Sequence, residues 1–322
     1  MNLYGIKAEK DYEDYIYFWI SDNQPRVLSF DHYPLWDDTL ADKFGYAINS
    51  DWINDYFLNL EYIRQTSLSN DLPYFNWISI HKHWSDYSKS FYRRASVEDL
   101  YFQIFSSLAY GSKGILYYNF WNENPFYINN PWHEEQGILD YDLKETGLYP
   151  AVIKINNQLS KLGDTLLQLQ SVGVYHKNEK YYNSSLVTNP KKHIELEYLY
   201  NPNLEKFEYR YGIKLVDWND PSNLNEQELK NKFIHNIDNP AALLGLFQGV
   251  DSSYYFMLVN KNRRKVEKFT VYIDKSKLKN ESAINILELC SNSRVIPSKS
   301  NNRMIIISLE LSPGYGKLFK IN

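Results

Sequence analysis

Near Gln170 the spacing of apolar residues changes, and this change constrains the fold more than any other feature of the chain. Upstream, helix-period runs alternate with short apolar runs. Tyr12, Tyr15, Ile16 and Trp19 recur at three- to four-residue spacing and predict a helix with one apolar face. "RVLSF" (Arg26 to Phe30) then reads as a buried strand. Trp52, Ile53, Tyr56, Phe57, Leu60 and Ile63 mark a second helix, with Ser50 or Asp51 as its cap, and "PYFNWISIH" (Pro73 to His81) a second strand. Ser96-Val97-Glu98-Asp99 resembles a capping box, opening a helix through Val97, Leu100, Tyr101, Ile104, Phe105 and Leu108 that Gly111 stops. "GILYYNF" (Gly114 to Phe120) follows as a strand. A last helix starts near Pro150 with Gly163 in the C-cap position. That rhythm predicts βα units and a parallel sheet.

Downstream, "SVGVYH", "HIELEYLY", "KFEYRYGI", "SYYFMLVN", "KFTVYID", "RMIIISLEL" and "KLFKI" read as short strands separated by Asn, Pro, Lys and Gly. This pattern predicts an antiparallel β-sandwich. The expected organisation is a domain over 1–170 and a β-sandwich over 171–322.

Composition narrows the function classes. A net charge of −4 gives no case for nucleic acid, which needs a concentrated basic face. The densest basic run, "NKNRRKVEK" (Asn260 to Lys268), reads as a solvated hairpin tip. The single cysteine, Cys290, excludes an intramolecular disulfide and lies in an apolar stretch that suggests inert packing. No apolar run is long enough to span a bilayer, and "MNLYGIKAEKDYED" turns acidic too soon for a signal peptide. Localisation stays open: cytoplasmic is expected of the chain as it stands, secreted or periplasmic if a longer parent chain carries the signal. Neither a phosphate-binding Gly loop, a dinucleotide fingerprint nor G-x-S-x-G occurs, so no cofactor is expected. Aromatics make up 16% of the chain, and many sit beside polar residues at strand ends, where core packing does not require them.

"LSFDHYP" (Leu28 to Pro34), "SLAYGSKGILYYNFW" (Ser107 to Trp121), "LYPAVIKINNQLSKLGDTL" (Leu148 to Leu166) and the closing "LSPGYGKLFKI" (Leu311 to Ile321) carry a family likeness. The chain resembles the C-terminal part of TIM-barrel glycoside hydrolases related to family 42 β-galactosidases, with a trailing β-sandwich. The resemblance implies an incomplete (β/α)8 barrel, its last three or four βα units, in a partial chain of a β-glycosidase acting on oligo- or polysaccharide. "RVLSFDHYP", "PYFNWISIH" and "GILYYNF" become its sixth, seventh and eighth strands, with "NLYGI" (Asn2 to Ile6) a remnant of the fifth.

The ends of such strands open into the active-site mouth. Substrate contacts are therefore expected from Tyr118, Asn119 and Trp121, from His32 and Tyr33, and from Trp77 and His81, with Trp132 in the long loop 122–145. The alternative for Trp121 is a core plug, and for Asp31 a turn cap before Pro34. A retaining mechanism needs two carboxyl groups about 5 Å apart. The resemblance places one on a segment upstream of this chain and the other where Ser79-Ile80-His81-Lys82-His83 stands, so neither is matched. Asp31, Glu123 and Glu134 are the remaining catalytic candidates, and solvated loop charge is the competing reading of both glutamates. His81-x-His83 lacks a third ligand at a fixed spacing, so no metal is expected. Arg93 and Arg94 face either an anionic sugar or local carboxylates. The expected partners are carbohydrate and either an upstream barrel segment or a second copy. A non-catalytic carbohydrate-binding or assembly module derived from a glycosidase is the other reading.

Overall fold

The computed structural model describes residues 9–35, 48–85, 90–121, 137–176, 196–201, 206–211, 232–278 and 284–322. Four helices are described: α1 (Glu9–Asn23), α2 (Ile48–Asn70), α3 (Val97–Ala109) and α4 (Tyr149–Gln168). Strands β1 (Leu28–Asp31), β2 (Tyr74–Ser79) and β5 (Gly114–Tyr118) form a parallel sheet in the order β1-β2-β5. Between β2 and α3 a small antiparallel pair, β3 (His83–Ser85) and β4 (Ser90–Tyr92), rises as a hairpin. The expected strand at Asn2 to Ile6 lies outside the described residues.

After α4 every sheet is antiparallel. Strands β6 (Gln170–His176), β7 (Leu196–Asn201), β8 (Lys206–Tyr211), β9 (Ile234–Ile237), β10 (Ala242–Gln248), β11 (Tyr254–Asn260) and β12 (Glu267–Asp274) come first. Then follow β13 (Ile286–Glu288), β14 (Ser293–Arg294), β15 (Lys299–Ser300), β16 (Met304–Leu311) and β17 (Gly316–Ile321). The larger sheet runs β14-β13-β17-β11-β10-β6 and the smaller β15-β16-β12-β9, and among the described residues β7 pairs with β8 alone. Phe256, Phe319, Leu244, Leu246, Phe269 and Val271 form the core between the two larger sheets. Strand alternation sends Leu243, Phe247, Met257 and Leu318 to the opposite face, into the core shared with the helices.

Helix α3 occupies the centre. Asp99 through Ala109 are all buried, because the parallel sheet covers one side of the helix and the six-stranded sheet the other. Glycines permit the close approach: a Cβ on Gly245 would stand 2.1 Å from the carbonyl oxygen of Ala109. The capping box at Ser96 is complete, with Asp99 N–H donating to the Ser96 hydroxyl and Ser96 N–H to the Asp99 carboxylate. A buried ion pair ties α2 to β6. Arg64 donates to both Glu61 oxygens at 2.8 and 2.6 Å and to the Ser171 hydroxyl at 3.3 Å.

Three local expectations are corrected. Helix α2 begins at Ile48, upstream of Ser50 and Asp51, so neither is its cap. Gly163 lies inside α4, which continues to Gln168, because Leu162 and Leu166 carry its buried stripe past the glycine. The run Asn260 to Lys268 is no hairpin: β11 and β12 belong to different sheets, so it crosses between them. Its Arg263 is not solvated either. The side chain is 16% exposed, lies over the Phe102 ring and donates to Asp99 at 3.0 Å.

Candidate functional site

Three parallel strands bring three chain segments to one end of the sheet. In register, Ser29, Asp31, Phe75, Trp77, Ser79, Leu116 and Tyr118 share the face turned away from the helices. Leu28, Phe30, Tyr74, Asn76 and Ile78 take the opposite face and are buried against α2 and α3. Gln103 of α3 fixes where β2 ends: its amide accepts from Ser79 N–H at 3.0 Å and donates to Ser79 carbonyl at 3.0 Å. Asn76 is held from the same helix, donating to the Ser107 hydroxyl at 2.7 Å.

Beyond that clamp the strands open into an aromatic cluster centred on Tyr118. The Tyr33 ring stacks on it, with centroids 5.6 Å apart and planes within 10°. His81 approaches at 5.0 Å with its ring tilted, and Trp77 edge-on at 6.3 Å. The Tyr118 carbonyl accepts from Ile80 N–H at 2.9 Å and lies 3.2 Å from His81 Nδ1. The Tyr118–Asn119 peptide is cis. Past it, Phe120 and Trp121 turn outward, 54% and 36% exposed.

The returning chain roofs this end. Leu139 N–H donates to the Phe120 carbonyl at 2.9 Å, and Gly137 packs so closely on Asn119 that a Cβ would fall 2.5 Å from its carbonyl oxygen. From the other side, residues 93–95 cross the ends of β1 and β2. Arg93 N–H donates to the Leu35 carbonyl and Ala95 N–H to the Ile80 carbonyl, both at 2.8 Å.

The expected site residues therefore divide. Tyr33, Trp77, Tyr118 and Asn119 are half-buried at the strand ends, and Trp121 is exposed beside them. Asp31 stands on the same face, half-buried. His32 and His81 are below the surface, at 1% and 0% exposure. His32 packs edge-on against Tyr56, with Nδ1 3.3 Å from the Asn59 amide. Burial pushes its imidazole down to about 3 against an opposing pull from Asp31, so it is neutral at physiological pH. Glu123, Glu134 and Trp132 lie outside the described residues, as does the side chain of His83. Among the described residues, no group of three metal-ligating side chains converges.

Arg93 and Arg94, adjacent in sequence, diverge. Arg93 donates to both oxygens of Asp99, the nearer at 2.5 Å, which is the local-carboxylate outcome. Arg94 turns the other way and donates to the Gly137 carbonyl at 3.3 Å. The Gln103 clamp had no distinctive signature beyond a polar residue on a buried helical stripe.

No protein-family model matches the sequence, so the family 42 likeness read from its motifs has no match behind it. No curated protein matches either. Among solved structures, the Thermotoga maritima α-fucosidase in complex with a mechanism-based inhibitor aligns over 98% of this chain and 56% of its own. Its identity is 10% and its TM-score 0.32. A β-L-arabinopyranosidase of family GH27 from Geobacillus stearothermophilus aligns over 82% of this chain and 60% of its own, at 10% identity and TM-score 0.21. The chain thus spans a little over half the length of these proteins. Likeness at this level assigns neither fold nor activity.

Proposed function

We propose that the chain is the C-terminal arc of a (β/α) barrel followed by a β-sandwich, and that the end carrying Tyr118 binds carbohydrate in a glycoside hydrolase-like protein. The supporting observation is the aromatic cluster at the C-terminal ends of β1, β2 and β5, with Trp121 exposed at its margin. Parallel α/β sheets bind ligands at this end, because their βα loops converge there. An apolar floor with few directional polar groups matches a sugar ring, whose C–H faces are apolar and whose rim is hydroxylated. Tyr118 and Trp121 would supply the floor, Asn119 and Asp31 the hydrogen bonds. His32 and His81, being buried, would orient these groups rather than meet the sugar directly.

The same sheet supports the partial-barrel reading. Its strands run parallel in the order β1-β2-β5, with α2 and α3 as the crossovers between successive strands and α4 following β5, the repeating βα connection of such a barrel. Asp31 is the one acid of the expected set at this mouth among the described residues, and a retaining pair needs a second about 5 Å away. The reading is therefore a substrate-binding portion that relies on carboxylates supplied from elsewhere. The non-catalytic binding module differs only in lacking that supply.

Calorimetric titration of the purified chain with neutral and acidic oligosaccharides tests the binding function. Saturable binding that Tyr118→Ala weakens about tenfold or more is expected. Absence of binding across the panel, with the chain folded, would reject it.

A further inference from the structure

Arg94 lies at the ends of the parallel strands with little of its hydrogen-bonding capacity used. Its backbone lies between two anchors at the strand ends, Arg93 N–H on Leu35 and Ala95 N–H on Ile80. Its side chain reaches the Gly137 carbonyl, and Gly137 is packed on Asn119 and Phe120 beyond β5. One cation thus spans the ends of all three parallel strands. Its partners are few: among the described residues its side chain makes that single hydrogen bond at 3.3 Å and no ion pair. Its Nε is buried without a hydrogen-bond partner, as is that of Arg93, so what distinguishes Arg94 is that its terminal nitrogens meet no carboxylate among the described residues. Neighbouring Arg93 and Arg263 share the buried Asp99, so the nearby carboxylate is already committed.

A buried N–H left unbonded is costly, and a guanidinium offers five donors in a planar fork that matches anionic oxygens. Structural arginines normally fill that fork with a carboxylate, as Arg64 does with Glu61.

We propose that Arg94 selects an anionic glycan, one bearing a carboxylate or a sulfate ester, at the mouth formed by β1, β2 and β5. This inference rests on the carbohydrate-binding reading and adds its charge class. The anionic oxygens take the unfilled edge of the fork, while the sugar ring lies toward Tyr118 and Trp121. Gly137 holds the guanidinium in place, and the bond from Arg93 to the Arg94 carbonyl, 3.2 Å, steadies the backbone behind it.

The test uses matched oligosaccharides of galacturonic and glucuronic acid, with carboxylates free or methyl-esterified, and neutral oligosaccharides with and without sulfate esters. Each is titrated against the chain and against Arg94→Gln and Arg94→Lys. The expected result is a preference for a charged form over its neutral match of roughly ten- to a hundredfold, the scale of a charged hydrogen-bonded pair. That preference should weaken with salt, fall toward unity in Arg94→Gln and be partly kept in Arg94→Lys. The ester and sulfate arms identify which anion is read. Equal affinity for charged and neutral forms in the unmodified chain overturns the proposal while leaving carbohydrate binding intact. Absence of binding to any sugar overturns both. Should Arg94→Gln fail to fold, the ester comparison and its salt dependence in the unmodified chain still decide the question.

Discussion

Arg263, on the crossover between the two antiparallel sheets, donates to Asp99 at the start of α3 across 3.0 Å, although 164 residues separate them in sequence. The same carboxylate takes two bonds from Arg93 and one from Ser96 N–H. One buried acid therefore caps the central helix, secures the segment that crosses the candidate mouth and ties both to the sandwich. Burial alone would raise its pKa, but the Arg93 bonds, the two arginine charges and the Ser96 amide outweigh that and hold it at about 2.

Asp99→Asn should destabilise the chain by about 2–4 kcal/mol, since it strips two arginines of their shared charge and breaks half of a capping box. Arg263→Ala should cost less, about 1 kcal/mol, because Arg93 still serves the carboxylate. A pKa held below the unfolded value gives stability that is present above about pH 4 and lost as pH falls toward about 2. Chemical denaturation across that range, on wild type and Asp99→Asn, checks both. An acid limb of equal depth in the variant would refute the assignment.

Two histidines should make the chain acid-sensitive at milder pH. Burial pushes His32 down to about 3 and His176 well below its ordinary value, the latter with help from Lys261. The unfolded chain binds protons near pH 6.5 and the folded chain does not, so stability should fall on acidification below that pH. Each histidine contributes a slope approaching 1.4 kcal/mol per pH unit. Imidazole NMR resonances of both that stay flat from pH 8 to 5 would agree. A normal titration midpoint for either would contradict its burial.

Gly245 and Gly163 should respond to alanine in opposite ways. At Gly245 the new Cβ would meet the Ala109 backbone oxygen at 2.1 Å, and neither sheet nor helix can yield cheaply, so a loss of about 3 kcal/mol or more is expected. At Gly163, inside α4, nothing lies within 4 Å of the new methyl, and helix propensity should stabilise the chain by about 0.5–1 kcal/mol. Thermal melts of the two variants give the comparison. A stabilised Gly245→Ala would mean that α3 does not lie against β10 as described.

Trp121→Ala separates the two readings of that indole. With 36% of the residue exposed, its truncation should change stability by less than about 1 kcal/mol and weaken sugar binding. A core plug would instead cost about 3–5 kcal/mol through the cavity it leaves. A melt beside a sugar titration distinguishes them.

Hydrolysis of aryl glycosides by the chain alone should be undetectable. Losing one general acid or base typically removes on the order of 10²–10⁴ in rate, and the expected pair is unmatched here. Robust turnover abolished by Glu123→Gln or Glu134→Gln would move catalysis to the long loop.

The local order of the chain was largely written in its sequence. The spacing of Tyr56, Phe57, Leu60 and Ile63 and the Ser96–Asp99 box specify helices because their signals lie within one or two turns. The alternation in "TVYID" and "IIISLEL" specifies strands in the same way. The aromatic strand ends at Tyr33, Trp77 and Tyr118 were likewise visible as residues out of place in a plain core. What the tertiary structure alone decided are pairings between segments far apart in sequence. Local periodicity could not say that Asn260 to Lys268 joins two sheets, since a hairpin and a crossover share the same polar composition. Nor could it say that Gln103 would hold Ser79, that Gly245 would admit Ala109, or that Arg93 would be neutralised while Arg94 was not. Each depends on which distant group arrives within about 3 Å, and that is fixed only when α3 is enclosed between the parallel and antiparallel sheets.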